Sequence, residues 1–273
     1  PNIPQSDAAR AAQIFAGDLL VYEQVTTMRP LLAMAEVYLS EAFGKTDPRR
    51  AHQTLTPDDY SNRMRELRAS WCRDDDVRRA WAAVFAEIGL APDDTCYDWF
   101  YMRALPPGDS HLSRHTPMLP PHRDTWGSNV YQQINWWAPV FPVNATNSVV
   151  VFPRYWEEGI ANSSADWDLG ELRRLSPNQR RDYPRLPNIL EEPKTVEPIV
   201  LEPGDVLAFS AQHLHGSQPN TSPVARFNLE CRTVCVADVD AHHTALQHGW
   251  RRTTRGLGLV QTDQRWHPVK GSS

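Results

Sequence analysis

The chain has 273 residues, 41% hydrophobic and 22% charged, a balance ordinary for a globular protein long enough to bury a sizeable core. Its formal charge of −5 excludes a broadly basic platform for nucleic acid, and the basic clusters at 173–185 and 251–255 read as solvated faces. No apolar run reaches the ~18 residues of a membrane span, residues 1–16 lack the charged-then-apolar order of a secretory signal, and the four cysteines fit neither a zinc knuckle nor a disulfide framework.

The first third, 1–92, reads as a helical layer. Pro30 opens an apolar periodic run over 31–43 that stops at Gly44. Thr56-Pro57 reads as an N-cap followed by proline in the first helical position, leading a helix over 60–71. A third helix over 75–88 ends at Gly89, with Val77, Trp81, Val84, Phe85 and Ile88 as its packing face. The character changes after Ala91-Pro92. Strands are predicted at 95–105, 130–140, 148–152, 196–201, 205–210 and 226–236, short runs rich in Val, Ile, Phe and Trp between Gly, Pro and Asn. That pattern predicts a mainly β fold, a double-stranded β-helix (a cupin-like jelly roll) over 93–238. The polar, proline-rich stretch 154–195, with a short helix near 169–175, reads as an insertion of the kind that often forms a lid. Residues 239–273 form a C-terminal tail. With no internal repeat and no second core, 1–273 reads as one domain. The cysteines suggest a reducing cytoplasm: Cys231 and Cys235 read as small buried hydrophobes in a strand. The expected partner is a small molecule, with no nucleic acid and no membrane; oligomeric state is not legible.

Three features carry the chemistry. His122-Arg123-Asp124 follows the turn Leu119-Pro120-Pro121, and ligand-capable side chains at i and i+2 converge on one point from an extended or looped backbone. Such a pair arises about once by chance in this length, so alone it says little. Downstream stand Gly204-Asp205, then His213, His215, Gly216, Ser217 and Asn220, and finally Arg226, eleven residues past His215. Two imidazoles and one carboxylate on an octahedral ion leave up to three open positions, the non-haem iron(II) arrangement for oxygen chemistry. A keto acid would chelate two of them and dioxygen would take the third. The keto acid's far carboxylate then needs a planar, permanently charged partner, which arginine supplies. His213 competes with His215 as the distal ligand; the neighbouring Gly216, Ser217 and Asn220 favour His215.

The segment from Gly204-Asp205 through His215-Gly216-Ser217, Asn220 and Arg226 resembles the distal half of the phytanoyl-CoA dioxygenase-like family of iron(II)/2-oxoglutarate oxygenases. Residues 147–153, Asn-Ser-Val-Val-Val-Phe-Pro, are similar to a strand of that family, which this chain leaves at Arg154-Tyr155-Trp156. The resemblance spans about 95–236. It implies Fe(II) held by His122, Asp124 and His215, 2-oxoglutarate as cosubstrate on Arg226 with Ser217 as helper, and dioxygen as the second cosubstrate. Trp137 matches a tryptophan that lines the barrel. Alternation places Gln133, Asn135 and Trp137 on one face, so either amide could bond the keto acid or the substrate, or simply satisfy the strand. Arg103 could meet an anionic substrate or be solvated. The implied activity is oxidation of a small molecule, with hydroxylation as the default and desaturation, cyclisation or epoxidation as alternatives.

Two other classes compete. His122-Arg123-Asp124 with Asn129 fits the kinase catalytic-loop spacing, but no Gly-x-Gly precedes it and no Asp-Phe-Gly follows. A non-catalytic metal- or ligand-binding barrel would need no keto-acid clamp, and Arg226 argues against it.

Overall fold

The computed structural model describes residues 6–108, 118–176, 179 and 183–245, with the backbone of 267–268. Four helices fill most of the N-terminal third: α1 (Asp7–Ala16), α2 (Met28–Phe43), α3 (Pro57–Trp71) and α4 (Asp75–Ile88). Locally encoded ends behave as the sequence predicts. Thr56 Oγ1 accepts from the Asp59 N–H at 3.1 Å and Pro57 sits in the first turn of α3. Gly89 closes α4 in the left-handed region, at φ 87°. α2 instead begins at Met28, before Pro30. The N–H groups of Thr26 and Thr27 each donate to the Glu87 carboxylate of α4 at 2.8 Å, a cap that no local sequence signal announces.

One expectation for the helical layer needs correcting. Within 1–92, β1 (Leu20–Tyr22) leaves the helices and joins a sheet, pairing Leu20↔Ala208 through Tyr22↔Val206. The larger sheet has seven strands: β1, then β7 (Val206–Ser210), β4 (Ile134–Pro139), β9 (Arg226–Cys235), β2 (Thr95–Tyr97) and β10 (His267–Pro268), with β3 (Tyr101–Leu105) also on β9. The smaller sheet runs β6 (Glu197–Pro198), β5 (Val149–Val151), β8 (His215–Ser217), and every pairing in both sheets is antiparallel. The single strand expected over 95–105 is two strands. It breaks at 98–100, where Asp98 is fully buried and Phe100 stacks on Tyr97 and Trp81. Strand β8 was not expected, nor were the short helices α5 (Thr125–Ser128) and α7 (Val236–Asp240); α6 (Leu169–Arg174) lies where a helix near 169–175 is predicted.

Side-chain alternation gives the larger sheet two different faces. Ile134, Trp136 and Ala138 of β4, with Phe227, Leu229 and Cys231 of β9, join one core with Leu31, Leu39, Trp81 and Phe85 of the helices. Each large apolar side chain buried there contributes about 1.5–3 kcal/mol. On the other face Trp137 packs with Leu207 and Phe209. The base of the 154–195 stretch is anchored by Tyr155 and Ile160, packed with Trp126, Phe152 and Leu214. All four cysteines are free. No helix among the described residues is long and apolar enough to cross a membrane. The expected tail over 239–273 lies mostly outside the described residues.

Candidate metal centre

His122 and His215 are brought together by backbone pairing. The His122 N–H donates to the His215 carbonyl at 2.9 Å and the His215 N–H returns a bond to the His122 carbonyl at 3.0 Å. This two-way bridge fixes the two rings with centroids 4.5 Å apart. The Ser217 N–H extends the contact to the Leu119 carbonyl at 3.0 Å. Such close approach explains Gly216: a Cβ there would meet the backbone of Pro121 at 3.0 Å. Behind the loop, Arg123 is buried and donates to the backbone carbonyls of Gln212, Tyr155 and Glu158, pinning the segment between the two histidines' neighbours to the 152–158 turn.

One ligand-capable atom from each of His122, Asp124 and His215 lies within 4.8 Å of the others, and all three residues are buried. Their outward atoms are already occupied. His122 Nδ1 donates to the Pro120 carbonyl at 2.7 Å, and His215 Nδ1 to the His213 carbonyl at 3.0 Å. Each ring therefore turns its Nε2 lone pair inward, the tautomer that binds a metal. Burial, aided by His122, pushes His215 down to about 4, so it is neutral at ordinary pH. Asp124 Oδ1 lies 3.3 Å from His122 Nε2. Its Oδ2 accepts from Asn135 Nδ2 at 2.7 Å, Gln133 Nε2 at 3.1 Å and Arg232 Nε at 3.5 Å. Burial opposes its charge, but the Arg232 guanidinium prevails and holds the carboxyl well below its usual range. The donor set and its outer hydrogen bonds fit a divalent metal with one carboxylate and two imidazoles.

A pocket opens beside this cluster, lined by Arg103, Leu105, Trp137, Phe209, Arg226 and Glu230 among others. Arg226 is buried in its wall. One Nη donates to the Asn147 carbonyl at 3.3 Å and the other to Ser217 Oγ at 3.2 Å, while Nε has no partner. Its guanidinium lies over the Trp137 ring, 5.9 Å from the centroid. Burial pushes it down to about 10, so it remains cationic at neutral pH. Among the described residues no carboxylate pairs with it in a salt bridge. A buried guanidinium with only neutral hydrogen-bond partners is chemically suited to an anion.

His213, the rival ligand, points away from the cluster. Its Nε2 lies 3.0 Å from the Gly17 carbonyl and its ring packs on Trp156, with centroids 4.4 Å apart. Gln133 and Asn135 share the face expected of them, and both amides bond Asp124; Gln133 also bonds Asn135 at 2.8 Å. Asn135 lines the pocket as well. Arg103 is half-buried in an ion pair with Glu230, so it is not freely solvated. Asn129 of the kinase-like spacing caps α5 in the left-handed region at φ 57°, and has no part in the cluster.

Sequence reasoning missed Asp98, Glu230 and Arg232. A signal for two of them was present: Arg226, Asn228, Glu230 and Arg232 alternate strictly with Phe227, Leu229 and Cys231 along β9. Period two with an entirely polar face marks a strand with one face in the core and the other left for solvent or a site.

No family model matches the chain, and no curated protein matches it by sequence. Solved structures do share its fold. EctD from S. alaskensis, seen with 2-oxoglutarate and 5-hydroxyectoine, is 16% identical, with 87% of this chain and 79% of that one covered at a TM-score of 0.52. EvdO2 from Micromonospora carbonacea var. aurantiaca, complexed with 2-oxoglutarate, is 12% identical, with 85% and 92% covered at a TM-score of 0.50. EvdMO1 aligns at 15% identity with 83% of this chain covered and a TM-score of 0.44, and this chain spans 49% of its length.

Proposed function

We propose that this chain, whose motifs and fold resemble the phytanoyl-CoA dioxygenase-like oxygenases, is an iron(II)- and 2-oxoglutarate-dependent oxygenase acting on a small molecule. The observation that carries the proposal is the pairing of two buried features. One is a two-histidine, one-carboxylate cluster whose outer atoms are all hydrogen-bonded away; the other is a cationic Arg226 in the adjoining wall that makes no salt bridge among the described residues. That EctD and EvdO2 are each seen with 2-oxoglutarate supports the same keto acid here.

His122, Asp124 and His215 would hold iron(II). Bound iron(II) would supply the activation of dioxygen, which would be the oxidant of both the keto acid, leaving as succinate and carbon dioxide, and the substrate. The protein's share is binding, orientation and exclusion of water. Arg226 would take the far carboxylate of 2-oxoglutarate through its guanidinium, turned by Ser217 Oγ and backed by the Trp137 ring. Leu105, Phe209 and the Arg103–Glu230 pair would face the substrate. Hydroxylation is the default outcome, since desaturation, cyclisation and epoxidation need the same residues plus a substrate that directs them. In this reading the two sheets form a double-stranded β-helix, 1–273 is one oxygenase domain with its core at 93–238, and the free cysteines fit the cytoplasm.

The test is anaerobic titration of iron(II)-loaded protein with 2-oxoglutarate, followed by its weak visible charge-transfer band. His122→Ala, Asp124→Ala and His215→Ala should each abolish the band and His213→Ala should keep it. Loss of the band in His213→Ala alone would overturn the ligand assignment.

A further inference from the structure

Asp124 offers one oxygen to the cluster because its other oxygen is saturated. Oδ2 accepts from two neutral amides, Asn135 and Gln133, and from the charged Arg232. Arg232 is itself held. Its Nη1 donates to Asp98 Oδ2 at 2.9 Å, its N–H donates to Asp98 Oδ1 at 3.0 Å, and its carbonyl accepts from the Asp98 N–H at 3.1 Å. Asp98 is completely buried at the break between β2 and β3. At the break the Asp98 N–H still pairs with β9, while its carboxylate accepts both the Arg232 N–H and the Arg232 guanidinium. The result is a fixed chain, Asp98 to Arg232 to Asp124, running from the β2–β3 break through β9 to the cluster.

The consequence concerns how many positions of the metal stay open. A carboxylate with both oxygens free often binds a cation through both, and so takes two positions. With Oδ2 engaged, Asp124 has only Oδ1 to give. We propose that Arg232, anchored by Asp98, is a positioning residue that keeps Asp124 a one-oxygen ligand and thereby keeps three metal positions free. This rests on the metal reading above and extends it. The amides hold Oδ2 by hydrogen bonds alone. Arg232 Nε, at 3.5 Å the longest of the three contacts, adds what the amides lack, a full positive charge that attracts Oδ2 in a buried site.

The experiment uses the full chain loaded with cobalt(II), whose visible d–d absorption reports coordination number. In Arg232→Met the cobalt spectrum should change before any keto acid is added. Cobalt should still bind, since Asp124 gains a second donor atom. The affinity of the cobalt-loaded variant for 2-oxoglutarate should fall by at least about tenfold. Asp98→Asn should move the spectrum in the same direction by less, and Arg232→Lys should recover part of it. A direct contact between Arg232 and the keto acid would change the affinity and leave the metal-only spectrum alone, so an unchanged spectrum overturns the proposal. A folded Arg232→Met that has lost cobalt altogether overturns it too. Should Arg232→Met fail to fold, Asp98→Asn and Arg232→Lys carry the same reading, and wild-type spectra in both would refute it. Wild-type protein that binds no cobalt would remove the metal reading itself.

Discussion

Arg226→Met should weaken 2-oxoglutarate without unfolding the protein, and the structure sets the size of both effects. The guanidinium is buried and still charged, and its hydrogen-bond partners, Asn147 O and Ser217 Oγ, are neutral. An incoming carboxylate would thus be the charge it lacks. Truncating one partner of a buried, hydrogen-bonded charge pair costs about 2–5 kcal/mol. At 1.4 kcal/mol per decade that is roughly 30-fold to several-thousand-fold in affinity. Stability should move the other way. Without ligand, the variant removes a cation that burial disfavours and that makes no salt bridge among the described residues, so stability should hold or rise. The assay is calorimetric titration of 2-oxoglutarate into anaerobic, metal-loaded protein, with thermal unfolding of the metal-free protein beside it. Metal affinity should barely change. A 2-oxoglutarate affinity within about threefold of wild type, or roughly 0.7 kcal/mol, would refute the clamp assignment. Arg103 would then be the next candidate.

Metal-free protein should lose stability as pH falls from about 6.5 toward 4. His213 and His215 are both pushed down to about 4 by burial, so the unfolded chain binds their protons first. The stability they contribute is fully present above the unfolded value near 6.5 and drains away as pH falls toward the folded value, at up to roughly 1.4 kcal/mol per pH unit for each histidine. Denaturant unfolding between pH 7 and 5 checks this; His213→Gln should reduce the slope, and a flat wild-type profile would contradict it. Gly216→Ala should push the 119–122 loop off β8, because its Cβ meets Pro121 backbone that cannot swing aside. The expected cost is about 1–3 kcal/mol with a matching loss of metal affinity, and wild-type metal binding in that variant would show that the two-histidine bridge is not needed. Thr56→Ala should cost about 1 kcal/mol through the lost cap on α3, with metal and keto-acid binding unchanged; a shift in either affinity would tie the helical layer to the site.

What was legible in the sequence is what local physics encodes. The ends of α3 and α4 were readable because a cap is a bond between residues three or four apart, as with Thr56 and Asp59 or the glycine after Ile88. The ligand candidates His122, Asp124 and His215 were readable through the family resemblance of the 204–226 segment, because a His-x-Asp pair by itself arises by chance. The tertiary structure alone decided the rest. β1 has three residues, too few to show a period, and becomes a strand only because β7 offers it an edge. The start of α2 depends on Glu87, a carboxylate from another helix. His213 and His215 are chemically identical and two residues apart. What separates them is the Gly17 carbonyl that meets one ring, 196 residues away along the chain. Gln133 and Asn135 showed by alternation that they share a face, but not that the Asp124 carboxylate would lie against it. Asp98 gave no sign at all. A buried carboxylate looks like any other in sequence, and its use is defined by Arg232, 134 residues downstream. Periodicity reports which side chains share a face; only the packing of distant elements determines what that face meets.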